Sequence, residues 1–560
     1  MPDLGPEFAR AVRSMPKGVF KEDEKGIHVD FMDLFRKQPQ VAGPGEIMEL
    51  ANIIASNDDP VSLALFWGAV LLIGVPLILG MIMIMFGLHR KPKNLVPATS
   101  SILPFGVTLW YSRDPLGLVL AQTKKHLRGF TIPIGFTEFT VFGGLKGQKE
   151  IAALPEEKAS YAHGFKVFHE NVLVSGGLKK FHDEFLRAVM TRPEILAKVY
   201  EAAPRILRAR LENVKVDEPV DLFQLSGDIA ARILLFLAIG ERLYDENDDD
   251  IIPSILAADR AAMTPSQWYL RSWSPTANAG RIACRNLGIV VVEELELIKE
   301  KPISDPHLDL LHILHEASPK LSAEGLVSHI NLFVFGNFSD LANTVAWTLY
   351  HLIKDPSLKQ RTVVELKQQG LVPLPESLSH DVLVAKRLPI LTSVVKEVGR
   401  LYSPLFQTTG LLKKQSINNY DVYFCDIVAT SPASITLSEK FYDNPTEFDP
   451  SRFLDAEAIE KLVASKKYVQ FHNAKHAWFD PVVAETVIKA VILPVLVAQY
   501  DIRFVDSKLT LKPSYHFSMS TPSVATPALV TLLDASKAAE ASSAAHSPKT
   551  SSKKTPKKSK

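Results

Sequence analysis

Phe471-His472-Asn473-Ala474-Lys475-His476-Ala477-Trp478-Phe479-Asp480-Pro481 leads into an apolar, helical stretch running from Val482 towards Val497. Asp480 and Pro481 are strong helix-start residues, an aspartate for the N-cap and a proline for the first turn, and the carboxylate complements the positive end of the helix dipole. Trp478 brings an indole, whose only polar atom is a donor N–H. Working outward, Asn444-Pro445-Thr446-Glu447-Phe448-Asp449-Pro450-Ser451-Arg452-Phe453 precedes this segment. Lys396-Glu397-Val398-Gly399-Arg400 lies on a stretch with helical patterning, and Leu326 to Lys354 forms a longer one ending in Ala346-Trp347-Thr348-Leu349-Tyr350-His351-Leu352.

These four landmarks, in this order, resemble the signature of the cytochrome P450 family. Glu397 and Arg400 match the family's Glu-x-x-Arg pair, 81 positions before Trp478. Pro445 to Phe453 match the family's Pro-x-x-Phe-x-Pro-x-Arg-Phe segment, and Leu326–Lys354 its long central helix. The likeness extends from about Leu95 to Leu533 and implies a mainly α fold with small β-sheets. Glu397, Arg400 and Arg452 are then the buried charge cluster that holds the scaffold together.

The resemblance also locates what is missing. The family keeps its iron-binding cysteine where this chain has Trp478, and indole offers iron no lone pair. The glycine that follows the ligand in the family is also absent, with Asp480 and Pro481 filling the turn. His476 falls where the family has a residue that contacts a haem propionate, and His472 replaces a glycine of the tight turn. On the central helix the family pattern is Ala/Gly-Gly-x-acid-Thr, whose acid and alcohol deliver protons. Here Phe335-Gly336-Asn337-Phe338-Ser339-Asp340 keeps Gly336 and offers Ser339 as the alcohol, while Phe338 stands at the acid's position. Asp340, two residues on, lies about 200° round a helix from Phe338 and points away from the site. No catalytic residue is assigned, and the chain is expected to carry no haem cofactor.

Only Cys284 and Cys425 are available as other thiols. Both fall in the wrong part of the family fold to replace the ligand and are expected to be small buried hydrophobes. Neither a disulfide framework nor a Cys-x-x-Cys zinc site fits two distant cysteines. The acidic run Asp245-Glu246-Asn247-Asp248-Asp249-Asp250 reads as a solvated turn within otherwise helical sequence from Ala159 to about Lys301, and no metal site is expected. With 63 basic and 62 acidic residues the net charge is +1, so no global field points to nucleic acid.

From Val61 to Leu88 there are 28 residues without a charge, more than the roughly 20 that span a bilayer as a helix. Asp58 and Asp59 precede this stretch, and Arg90, Lys91 and Lys93 follow it, so the positive-inside rule places the C-terminal domain in the cytosol. The expected organisation is an N-terminal extension over 1–60, a transmembrane helix over 61–88, a P450-like domain over 89–533 and a disordered Ser/Ala/Lys-rich tail over 534–560. The expected location is the endoplasmic reticulum membrane, crossed once. Phe130-Thr131-Ile132 and Phe139-Thr140-Val141-Phe142-Gly143 read as two strands of a small sheet, the elements that open the β-rich lobe of the family it resembles.

The functional expectation is a membrane-anchored, P450-like pseudoenzyme without the haem-thiolate centre. An apolar cavity would hold a sterol-, terpenoid- or polyketide-like molecule, and the protein would serve as an accessory to the enzymes of a specialised-metabolite pathway. The alternatives are a monooxygenase with atypical haem ligation, a non-oxidative isomerase or cyclase, and a structural membrane protein that organises neighbouring enzymes.

Overall fold

Sequence that is apolar on every side of a helix can only be buried, and the stretch after Ser322 is of that kind. Ser322 caps it by accepting from the Gly325 amide, and the helix then runs Ala323–Lys354 with most of its side chains inside the protein. It stops at Asp355, whose side chain caps the next helix through the Leu358 amide at 2.9 Å. In this computed structural model the described residues are 20–23, 26–29 and most of 96–533. Within that last range 98, 100–105, 135–136, 156, 161–162, 165–192, 216–217, 263–274, 301–308, 318–320, 373–386, 424–425, 469–480 and 517–518 fall outside the description.

The chain divides into two units, Met1–Phe86 and Gly87–Lys560. The first contains a backbone hairpin of β1 (Phe20–Asp23) and β2 (Gly26–Val29). The expected membrane span at 61–88 and the tail at 534–560 lie outside the described residues.

The second unit begins with α1 (Gly106–Arg113), α2 (Pro115–Lys125), β3 (Phe130–Ile134), β4 (Thr137–Phe142), α3 (Gly144–Ala152) and β5 (Ala159–Ser160). A helical body follows: α4 (Pro193–Glu212), β6 (Val220–Asp221), α5 (Leu222–Ala262), α6 (Pro275–Glu300), α7 (Leu310–Ala317), the central α8 (Ala323–Lys354), α9 (Pro356–Gln368) and α10 (Pro389–Leu401). Next come β7 (Gln407–Leu411), β8 (Gln415–Ile417), β9 (Tyr420–Val422), β10 (Ile427–Thr430), α11 (Ala433–Thr436), a 3-10 turn (Pro450–Phe453) and α12 (Ala456–Ala464). The chain then forms α13 (Pro481–Thr486), a π-helical turn (Val487–Ile492) and α14 (Leu493–Ala498), and closes with β11 (Tyr500–Phe504), β12 (Pro513–His516), β13 (Met519–Pro522) and β14 (Pro527–Leu532).

The two strands expected near Phe130 and Phe139 pair antiparallel, with Ile132 opposite Phe139. They edge a five-stranded sheet ordered β3-β4-β10-β7-β5, in which β10 runs parallel to β4 with Ile427 opposite Phe139. A second sheet, β11-β14-β6, joins the C-terminal strands to the start of α5. The main core is helical, built from α4 to α10 and the helical run after Pro481.

The acidic run is not the solvated turn that its composition suggests. Asp245 to Asp250 lie inside α5, which is kinked at Gly240 (φ 80°, ψ 174°) and helical on either side. The helix persists because Leu243, Tyr244, Ile251 and Ile252 fall on one face and are buried. Asp248 also pairs with Arg232 across the kink. Packing here outweighs the low helix propensity of aspartate. α5 is long and apolar enough to cross a membrane by length and composition, but 83% of its most apolar window is buried, as expected of a core helix. The segment after Ala159 also departs from the expected helix at its start, where Ala159 and Ser160 add β5 to the first sheet.

Candidate functional site

Pro389 starts α10, and its helical spacing brings Glu397 and Arg400 together at i,i+3 with neither side chain exposed. Arg400 Nε and Nη2 donate to the two Glu397 carboxylate oxygens, each at 2.7 Å. Nη1 donates to the carbonyls of Thr436 and Pro445 at 2.9 and 2.6 Å, and Nη2 also donates to that of Glu447 at 3.0 Å. All five guanidinium N–H groups are thereby used. Glu397 Oε1 accepts the Asp449 amide at 2.9 Å and has Arg452 Nε at 3.5 Å, an ion pair without hydrogen-bond geometry. The three residues singled out as a structural cluster do meet. They tie α10 to the irregular chain from Thr436 to Arg452.

The aromatic residues of the same segment attach it to the central helix. Phe448 stacks on His351 of α8 with ring centres 3.5 Å apart, and His351 Nε2 lies 2.9 Å from the Tyr402 hydroxyl. Burial pushes the His351 imidazole down to about 3, so it is neutral. Phe453 packs edge-on against Tyr468, the last described residue before Trp478.

His472, His476, Trp478 and Asp480 lie outside the described residues. The helix after them begins at Pro481, where the Asp480-Pro481 pair places its start. That helix is held to α10 by ions. Glu485 receives Lys396 at 2.7 Å and Lys489 at 3.0 Å, and Lys489 also donates to the Thr392 hydroxyl at 3.0 Å. Burial alone would push the Glu485 carboxyl up, but the two lysines hold it below its ordinary value. The described residues on either side of 469–480 are therefore both anchored on α10, Tyr468 by Lys396 lying 5.4 Å over its ring and α13 by Glu485.

On α8, Phe338 is buried and turned towards Gly227 on the first half of α5, where a Cβ would lie 3.4 Å from its ring. Ser339, the candidate alcohol, donates to Asp259 Oδ1 at 2.6 Å. Asp259 comes from the second half of α5, eighty positions away in sequence. Nothing in the local sequence marks it, because the pairing arises only when α5 folds across α8. Gly336 is half-buried beside these residues.

Cys284 is buried in α6, with its backbone carbonyl near Asn331 of α8, and burial pushes its thiol up to about 12. It is the inert hydrophobe expected and no thiolate donor. Cys425 lies outside the described residues. Among the described residues no group of three or more His, Cys, Asp or Glu is disposed to hold a metal ion.

The fold is one that known proteins share. The cytochrome P450 family model matches residues 97–473. A cytochrome P450 monooxygenase, pynD of Aspergillus niger, is 20% identical over 74% of this chain and 87% of its own length. An obtusifoliol 14-alpha demethylase of Triticum aestivum is 23% identical over 72% of this chain and 90% of its own. The crystal structure of the cytochrome P450DA heme domain superposes with a TM-score of 0.61 at 15% identity, covering 78% of this chain and 98% of that one. The chain belongs to the cytochrome P450 family.

That membership corrects one expectation. Trp478 suggested a protein with no cofactor, whereas the family and the fold imply haem. The one described cysteine, Cys284, does not fit the family's sulfur ligand, being buried with its thiol protonated. The family match ends at residue 473, five positions before Trp478.

Proposed function

We propose that this is a membrane-anchored cytochrome P450-family protein that binds a lipophilic molecule and does not carry out thiolate-driven monooxygenation. The observation that carries the reading is Trp478 at the ligand position, with Cys284 buried and protonated. In this family a cysteine thiolate pushes electron density onto iron and favours O–O cleavage, and an indole N–H cannot do so. Phe338 supports the same reading, because the acid position of the central helix is apolar and turned into the core. The retained Glu397-Arg400-Arg452 cluster supports a folded product rather than a decayed one.

A sterol-like member of the proposed ligand class, which also takes in terpenoid- and polyketide-like molecules, is supported by the sterol 14alpha-demethylase relative of Mycolicibacterium vanbaalenii, and the proposed role is an accessory to the enzymes of a specialised-metabolite pathway. The 28 uncharged residues from Val61 to Leu88 support a single membrane span, and the basic residues after it a cytosolic domain at the endoplasmic reticulum. The test is spectroscopic. Purified protein is assayed for total haem by extraction and for its carbon monoxide difference spectrum after reduction. The expected result is no thiolate-ligated carbonyl band at any haem content. A stoichiometric band of that kind overturns the reading and makes the chain a haem-thiolate oxidoreductase.

A further inference from the structure

Four side chains meet beside the kink of α5. His312 of α7 has its Nδ1 at 2.7 Å from both carboxylate oxygens of Asp309 and its Nε2 at 3.1 Å from Glu294 Oε1 of α6. The other Glu294 oxygen accepts from Arg242, two residues past Gly240, and Arg242 also pairs with Glu246. Asp309 Oδ1 in turn caps α7 by accepting the His312 amide at 3.0 Å. The side chains of His312, Glu294 and Asp309 are only 3–4% exposed. Gly240 closes the group, since a Cβ there would sit 2.6 Å from Asp309 Oδ2.

The geometry requires two protons of one imidazole. A neutral histidine has a single ring N–H, so it satisfies one carboxylate and turns a lone pair on the other. The imidazolium donates to both. Burial by itself disfavours that cation, but the hydrogen bonds and charges of Asp309 and then Glu294 hold it above the ordinary histidine range. The groups facing His312 are Asp309 on its own element and Glu294 of α6, the latter carrying Arg242 on its other oxygen. Glu294 is held below its ordinary value, because Arg242 and then His312 outweigh the effect of burial.

We propose that His312 is a proton-operated latch on the α5 kink: in its cationic form it ties α6 and α7 to the half of α5 that follows Gly240, and loss of its proton loosens that half. The half concerned carries Asp259, which holds Ser339 on the central helix, so the state of the latch reaches the candidate site. This device is independent of which ligand the protein binds and of how haem is held.

The sign follows from the directions of the two shifts. With its folded pKa raised above the ordinary histidine value of about 6.5, the His312 contribution is full below that pH and lost as pH rises through the folded value. The Glu294 contribution is full above about 4.3 and lost as pH falls through its lowered folded value. The latch is closed between those limits.

The experiment is hydrogen exchange by mass spectrometry on the full-length protein in detergent, across pH, with rates corrected for intrinsic exchange. Residues 222–239, before the kink, serve as the internal control for residues 241–262, after it. The expected result is that protection of 241–262 falls by about tenfold for each pH unit between the ordinary histidine value of about 6.5 and the folded His312 value, then levels off, while 222–239 stays protected. His312→Gln removes this dependence, and Glu294→Gln, which keeps the shape but not the charge, moves the transition to lower pH. An unchanged transition in Glu294→Gln, or equal loss of protection on both sides of the kink in the wild type, overturns the proposal.

Discussion

Arg400 places every N–H of its guanidinium on a partner inside the protein, two on Glu397 and three on backbone carbonyls of the following segment. Arg400→Ala would leave the buried Glu397 carboxylate with only the Asp449 amide and the more distant Arg452, and would strip donors from three carbonyls. We expect a loss of about 3–5 kcal/mol in stability, the usual cost of breaking a buried pair from one side, measured by denaturant unfolding. A loss below about 1 kcal/mol, the size of a surface pair, would show that water or another cation replaces it. Trp478→Cys is expected not to restore monooxygenase turnover. The new thiol would lie two residues from Asp480, whose carboxylate disfavours a thiolate, and Pro481 has no amide to donate towards sulfur. Phe338 leaves the proton-delivery position apolar as well. The variant is assayed with a reductase for NADPH consumption coupled to product, and tight coupling from this one change would mean that only the ligand had been lost.

At the scale of elements, α5 turns on one residue. Gly240 has φ 80° and ψ 174°, a region that side-chain-bearing residues essentially never adopt. Gly240→Ala should therefore destabilise the domain by about 1–3 kcal/mol, with a further loss from the contact with Asp309 Oδ2. Thermal melting checks this, and an unchanged melting temperature would mean that the helix straightens without penalty. The kink was not legible beforehand, because a glycine directly after the apolar run Leu234–Ile239 reads equally well as a packing residue. The Asp259–Ser339 pair was hidden for a related reason. It depends on where the second half of α5 lies after the kink, and local sequence does not encode that angle. The start of the helix at Pro481 was legible because the Asp480-Pro481 signal is local.

For the whole molecule, orientation is the accessible question. Arg90, Lys91 and Lys93 follow the uncharged stretch, so intact microsomes treated with protease should lose the domain after residue 95 while residues 1–60 stay protected. Protection of the domain instead would mean that the flanking charges do not set topology in this chain. Inside the domain, the central helix connects the parts. It carries Ser339 towards α5, His351 against Phe448 of the Pro445–Phe453 segment, and Trp347 stacked on Tyr402 with its indole donating to the Ser520 carbonyl on β13.

The sequence by itself determined the family, the Glu397-Arg400-Arg452 cluster, the first strand pair, the central helix and the start of α13, because each is set by neighbours along the chain or by an ordered pattern of motifs. It also determined that no cysteine stands at Trp478, which is a matter of identity alone. Tertiary structure decided what the composition misread. The acidic run became helix because Leu243, Tyr244, Ile251 and Ile252 find a core to enter. Ser339 gained an acid from another helix, and His312 gained two carboxylates from segments 18 and 3 positions away in sequence. These pairings depend on helices crossing at particular angles, and burial then makes them strong by removing the water that would otherwise compete for the same groups.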